Sequence, residues 1–272
     1  MNATSHYVTT GDYKTHYLEL GKGEPLILVH GGGAGADAYG NWISSMAGFA
    51  DRFRVIAVDM VGFGRSDAPD PATFDYSQSA RNRQLIAFLE ALNLEKVDIV
   101  GNSMGGATAL GAAMERPSLI GNMILMGSAG IRNPVRHAAP VAAITGYDFT
   151  PEGMVRIVEA LTAPGFSLSQ EMLDYRYRLS IEPAVRAAYA ATMSWVRANG
   201  LAYDDEKIAS IKHRTLVVGG KDDKIIPLSA NFRFLELIEN STGYFLPHCG
   251  HWAMMEQPEA FSAAVKGFLA RE

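Results

Sequence analysis

Three short segments, far apart in the chain, carry residue types that together can attack a carbonyl. They are Gly101-Asn-Ser-Met-Gly105, Gly220-Lys-Asp-Asp-Lys-Ile-Ile-Pro227 and Pro247-His-Cys-Gly-His-Trp252. A serine hydroxyl is a weak nucleophile at neutral pH. It needs a histidine to take its proton and a carboxylate to hold that histidine in the right tautomer. The first segment fits G-x-S-x-G, directly follows the apolar run Val97–Val100 and opens the helical pattern Met104–Arg116. A nucleophile elbow requires that strand–turn–helix context, because a tight, strained turn leaves the serine oxygen exposed. The helix start then aims free N–H groups and its dipole at developing negative charge. Taken alone, five such residues would read as a glycine-rich turn with a serine N-cap. The acid and base that follow, in the order Ser–Asp–His, make Ser103 the expected reacting centre.

Of the 7 histidines, His251 follows the run Tyr244–Leu246 and precedes a last helix near Pro258, where this chain order puts the base. His248 is its near competitor, and Gly250 suits a loop turning His251 inward. His6, His16, His137 and His213 are expected at edge, lid or surface positions. For the acid, the G-x-x-D-x-x-x-P spacing after Thr215–Gly219 selects Asp223 and leaves Asp222 to a solvated turn. The alternative acid position, after Met123–Met126, offers no Asp or Glu between Asn122 and Pro134. Asp59 and Asp98 suit capping or turn support. His30-Gly-Gly-Gly-Ala-Gly35 ends another apolar run and lets backbone approach a reacting carbonyl. Its oxyanion donors would be the N–H groups of Gly32, or its neighbour Gly33, and Met104. No Walker lysine follows and the spacing is not G-x-G-x-x-G, so a phosphate loop is disfavoured. His30 itself reads as a brace for the loop.

The elements that must position these groups follow from periodicity. Pro25–His30, Arg54–Asp59, Val97–Gly101, Met123–Met126 and Thr215–Gly219 are apolar on both faces, as buried parallel strands are. Helical spacing over Ser77–Leu92 and Met104–Arg116 between them implies βαβ units and a doubly wound sheet. Tyr7–Thr10 and Thr15–Leu20, across Gly11-Asp12, predict an antiparallel edge hairpin. The alternation stops near Asn133 and resumes near Ile211. Between these points lie a helix Pro151–Thr162, with Met154, Val155, Ile157, Val158 and Leu161 on one face and Thr150 as N-cap, and a helix Pro183–Asn199 closed by Gly200. The expected division is a core of residues 1–132 and 210–272 with a helical lid at 133–209.

Composition narrows the class. The chain has 272 residues, is 48% hydrophobic and carries net charge −5 with no basic block, so phosphate-driven nucleic-acid binding is not expected. One cysteine, Cys249, excludes an internal disulfide and a Cys-rich metal site. Met1–Tyr7 lacks the basic and apolar regions of a signal peptide, and no stretch approaches the ~20 apolar residues of a membrane span. A cytoplasmic, soluble protein without cofactor or metal is expected; oligomeric state is left open, with a homo-oligomer among the options.

Five segments together resemble the meta-cleavage product hydrolases, α/β-hydrolases of bacterial aromatic degradation: His30–Trp42, Asp59–Asp67, Gly101–Gly106, Gly220–Pro227 and Cys249–Trp252. The likeness covers nearly the whole chain. It implies cleavage of the C5–C6 bond of a 2-hydroxy-6-oxohexa-2,4-dienoate, with substrate and water as the only partners. It also implies that Asn41 and Asn102 contact the dienoate end, that Arg176 pairs with the substrate carboxylate, and that Trp252 stands beside the base. A guanidinium suits bidentate carboxylate binding; the competing reading of Arg176 is a surface ion pair. Methionine after the serine and the third glycine of HGGG resemble members handling 6-aryl substrates, whose 6-substituent pocket would draw on Val141–Phe166 and the region of Trp195. A carboxylesterase, or a non-catalytic receptor on the same fold, would keep the triad. Dehalogenase or epoxide-hydrolase chemistry would put an aspartate at residue 103.

Overall fold

The runs that lack polar alternation become the middle of one sheet, where both faces are covered. In the computed structural model, which describes residues 3–132 and 138–270, the strands are β1 (Thr4–Thr10), β2 (Tyr13–Leu20), β3 (Glu24–Val29), β4 (Phe53–Val58), β5 (Val97–Asn102), β6 (Ile120–Met126), β7 (Thr215–Gly220) and β8 (Ser241–Leu246). They lie in the order β1-β2-β4-β3-β5-β6-β7-β8. Pairing is parallel from β4 to β8, and β2 runs against both of its neighbours. The edge hairpin forms as expected but starts earlier, with Thr4 opposite Glu19 and Thr10 opposite Tyr13.

The helices are α1 (Ala38–Met46), α2 (Gln78–Ala91), α3 (Met104–Glu115), α4 (Ala138–Thr145), α5 (Pro151–Leu161), α6 (Gln170–Ile181), α7 (Pro183–Asn199), α8 (Asp205–Ala209), α9 (Leu228–Leu237), α10 (Ala253–Glu256) and α11 (Pro258–Leu269). Thr150 caps α5, accepting from the Gly153 N–H at 2.9 Å, and Gly200 ends α7 at φ 73°. Met154, Ile157, Val158 and Leu161 are buried along α5, spaced i, i+3, i+4 and i+7, which is one helical face. Val155 departs from the expectation. It is 41% exposed, because one residue beyond Met154 lies about 100° round the helix.

Helices α4 to α8 all fall between β6 and β7 in the chain. Of two helices that carry site residues, α1 keeps a narrow apolar stripe in Ala38, Trp42 and Met46, whereas α6 buries no apolar side chain fully. The buried residues of α6 are Arg176 and Ser180, and those of α1 are mostly small or polar. Among the described residues no helix is long and apolar enough to cross a membrane.

Candidate active site

The elbow forms where β5 runs into α3. Ser103 sits at φ 53° and ψ −117°, a strained conformation for a residue with a side chain. The turn is held by backbone bonds to its carbonyl from Gly106 at 3.0 Å, Ala107 at 3.2 Å and Ala129 at 3.0 Å. Gly105 has to be glycine, since a Cβ there would stand 2.3 Å from the Val29 carbonyl oxygen. Met104 is the first residue of α3, so its N–H has no acceptor within the helix and is free for an oxygen placed beside Ser103.

The expected acid and base meet. His251 Nδ1 lies 2.7 Å from Asp223 Oδ2, and the other oxygen, Oδ1, accepts the N–H groups of Ile225 at 2.8 Å and Ile226 at 2.9 Å. The carboxylate is thus pinned by the loop after β7. The imidazole, only 2% exposed, is fixed through its backbone N–H, which donates to the Leu161 carbonyl at 2.7 Å. His248 is exposed, which removes it as a competitor, and Asp222 is half-buried with its N–H on the Cys249 carbonyl. His30 is fully buried. The Met60 N–H donates to its Nε2 at 3.0 Å, so Nδ1 carries the proton and donates to the Gly31 carbonyl at 2.6 Å. Burial pulls its pKa below the usual histidine value, consistent with a neutral brace. Asp98 supports a turn, accepting from Asn122, and Asp59 ties several loops together. His6 and His213 lie outside the site. His16, expected at an edge or on the surface, is instead 2% exposed because it is bonded to Asp59. His137 lies outside the described residues.

One cavity gathers Ser103, His251, Gly32, Gly33, Met104, Asn41, Asn102, Arg176 and Trp252. Arg176 is 0% exposed, so it is not a surface ion-pairing residue; Arg178, two positions on, is the exposed one. Its Nη1 donates to Asn41 Oδ1 at 3.1 Å and its Nη2 to the Ala34 carbonyl at 3.4 Å, while the guanidinium lies 4.8 Å from the centre of the Trp252 ring. Its Nε has no partner. Burial lowers its pKa to about 10, which leaves it charged at neutral pH. Asn102 donates from Nδ2 to the Met126 carbonyl at 3.1 Å and leaves Oδ1 buried without a partner. A buried cation with a spare donor and a buried amide with a spare acceptor are costly unless a ligand completes them.

The rest of the cavity is apolar and draws on Ile131, Val141, Ile144, Met193, Val196, Leu201, Ile225 and Ile226. Val141, Ile144 and Leu161 come from the expected lid stretch. Trp195 does not contribute; it stands 5.7 Å from the Arg81 guanidinium on the far side of α7, while Met193 and Val196 turn inward. Ile131, Leu201, Ile225 and Ile226 carry no sequence signal beyond being apolar. The cavity volume is about 150 Å³. A single water needs roughly 10–15 Å³ on that measure, so the cavity takes a small organic molecule.

The alpha/beta hydrolase fold family model matches residues 24–258. The chain is 48% identical over 267 residues to the 2-hydroxy-6-oxo-6-(2'-aminophenyl)hexa-2,4-dienoic acid hydrolase of Metapseudomonas resinovorans, covering 97% of this chain and 90% of that protein. It is 35% identical over 270 residues to the 2-hydroxy-6-oxo-2,4-heptadienoate hydrolase of Pseudomonas putida, covering 97% and 96%. Among solved structures, a His-tagged serine hydrolase involved in carbazole degradation matches with a TM-score of 0.90 at 46% identity, covering 99% of each chain.

Proposed function

The chain belongs to the α/β-hydrolase fold family and, within it, to the meta-cleavage product hydrolases, and from that premise we propose that it hydrolyses the C5–C6 bond of a 2-hydroxy-6-oxohexa-2,4-dienoate bearing a 6-aryl group. The observation that carries this reading is Arg176, a buried cation with an unpartnered Nε in the same cavity as Ser103. A neutral ester offers such a group no charge to neutralise it. A substrate carboxylate neutralises it by charge-assisted hydrogen bonds. The relative from M. resinovorans acts by name on a 6-(2'-aminophenyl) substrate, and the apolar remainder of the cavity suits an aromatic ring.

In this reading Arg176 and Asn41 hold the carboxylate, and the Asn102 amide oxygen accepts the 2-hydroxyl proton. The dienol first ketonises: the proton leaves O2 and arrives at C5, with His251 relaying it. The attacking oxygen, from Ser103 or from a water that Ser103 holds, then adds to C6 while His251 takes its proton. Negative charge develops on the C6 oxygen opposite the N–H groups of Met104 and Gly32, with Gly33 adjoining. The C5–C6 bond breaks with its electron pair on C5, delocalised through C3=C4 to the 2-oxo oxygen. Protonation gives 2-hydroxypenta-2,4-dienoate, and the carboxylic acid is released directly or after water cleaves a Ser103 ester. Asp223 keeps His251 oriented throughout, and Trp252 packs against the guanidinium and shields it. Residues 1–132 and 210–272 act as the core and residues 133–209 as the lid over this centre. A cytoplasmic location fits the catabolic role of the bacterial relatives.

Decay of the visible absorbance of a 6-phenyl dienoate, measured beside a nitrophenyl ester, tests the assignment. Dienoate turnover with the higher kcat/KM is expected. Ester turnover with no dienoate turnover would instead make the protein a carboxylesterase, and binding without turnover of either a receptor.

A further inference from the structure

Arg176 donates to Asn41 and to the Ala34 carbonyl, and among the described residues no carboxylate pairs with it. Asp37 is the N-cap of α1, the helix that carries Asn41, and its Oδ1 accepts the Gly40 N–H at 2.6 Å. Its other oxygen, Oδ2, accepts the hydroxyl of Tyr175. Tyr175 is the residue before Arg176 on α6, so one carboxylate joins the two helices that supply the guanidinium and its amide partner. Asp37 is 2% exposed, and burial, reinforced by the nearby Asp59 charge, pushes its pKa up to about 6.

Two further contacts make the joint rigid. Gly35 lies at φ +63°, and a Cβ there would stand 2.1 Å from the Arg176 carbonyl oxygen, so the α6 backbone seats directly on the oxyanion loop. The Tyr175 ring also meets Tyr39 of α1 edge-on, with centroids 5.2 Å apart. Three contacts thus join the loop, α1 and α6.

We propose that Asp37 and Tyr175 are positioning residues that latch α6 to α1 and so set Arg176 and Asn41 as a preformed clamp for the substrate carboxylate. Neither touches the reacting atoms. The latch acts on binding of the anionic end, which rests on the proposed dienoate reading. Preorganisation of this kind raises affinity by removing the ordering loss from the binding step.

Tyr175→Phe is the sharp variant, since it removes one hydroxyl and keeps the ring. With the 6-phenyl dienoate it should raise KM by about fivefold, the equivalent of one hydrogen bond, with kcat little changed. Turnover of a nitrophenyl ester, which has no carboxylate to place, should be unaffected. Asp37→Ala should show the same split, and Asp37→Asn, which keeps an acceptor for Gly40 and a partner for the phenol, should recover most of it. Inhibition of ester hydrolysis by 2-oxopentanoate reads the same clamp without cleavage, and its inhibition constant should rise in Tyr175→Phe by the same factor. An unchanged KM and inhibition constant in Tyr175→Phe, or an equal loss on ester and dienoate, overturns the proposal. A wild-type protein that hydrolyses the ester but not the dienoate defeats the carbon–carbon reading alone, and the 2-oxopentanoate ratio still decides the latch.

Discussion

Two histidine–aspartate pairs in this protein are alike in almost every local measure. His251 Nδ1 lies 2.7 Å from Asp223 Oδ2, and His16 Nδ1 lies 2.7 Å from Asp59 Oδ2. Each histidine is 2% exposed. His16 even has a serine, with Ser5 Oγ 2.8 Å from its Nε2. The surroundings differ. Ser5 lies in the exposed strand β1 and is paired in register with Leu18, whereas Ser103 is strained at the start of a helix and opens into a cavity. Asp59 also accepts the N–H groups of Ala38 at 2.6 Å and Arg65 at 2.8 Å, so its pair anchors the start of α1 and a neighbouring turn. A His–Asp pair is thus an orienting device. What it does depends on what its Nε2 faces, which for His251 is a cavity and for His16 a strand hydroxyl.

The largest effect should separate the two pairs by chemistry. Ser103→Ala and His251→Ala should each lose at least about 10³-fold in dienoate turnover, since members of such a unit fail together. His16→Gln should leave the kcat of the folded protein near wild type. Single-turnover absorbance traces at matched folded fraction measure both, and near-normal turnover in His251→Ala would break the contrast.

Next in size is a stability effect on the other side of the comparison. Asp59 is 0% exposed and receives His16, Ala38 and Arg65. Asp59→Ala strands those donors, so chemical denaturation should show a loss of about 3–5 kcal/mol, as for breaking a buried pair from one side. Asp223→Ala should lose most of the turnover with a smaller loss of stability, because the Ile225 and Ile226 N–H groups lie in a partly exposed loop. Equal destabilisation by the two variants would show that Asp223 is as structural as Asp59.

How much of this was legible in the sequence follows the same division. Strands β3 to β7 announce themselves as apolar runs, Ser103 and Asp223 follow β5 and β7, and His251 follows β8, each with short-range spacing that marks it. Helix α6 does not announce itself, because what it buries is a charge: Arg176 enters through chemistry that only its family likeness suggests. The Asp37–Tyr175 contact spans the core and the helical segment, and nothing local in either stretch encodes it. The sequence places His16 among edge, lid or surface residues for a similar reason. Its partner Asp59 directly follows β4, a strand that the chain order gives no cause to place beside β2. Groups that meet through tertiary pairing across distant segments leave no periodicity behind.

The smallest expected effect is the most direct check on what the comparison teaches. Ser5 is exposed and its hydroxyl lies 2.8 Å from His16 Nε2, so a serine meets the outer ring nitrogen of this pair. It lacks the strained turn, the helix N-terminus and the enclosed site that would stabilise an oxyanion. Ser5→Ala should therefore change stability by no more than about 0.5 kcal/mol, the usual range for an exposed position, and leave dienoate turnover unaltered. A fluorophosphonate, which reports activated serines by forming a stable ester, should label the peptide containing Ser103 and not the one containing Ser5. Label on Ser5, read by mass spectrometry of the digest, would mean that histidine and aspartate suffice to activate a serine without the surrounding site.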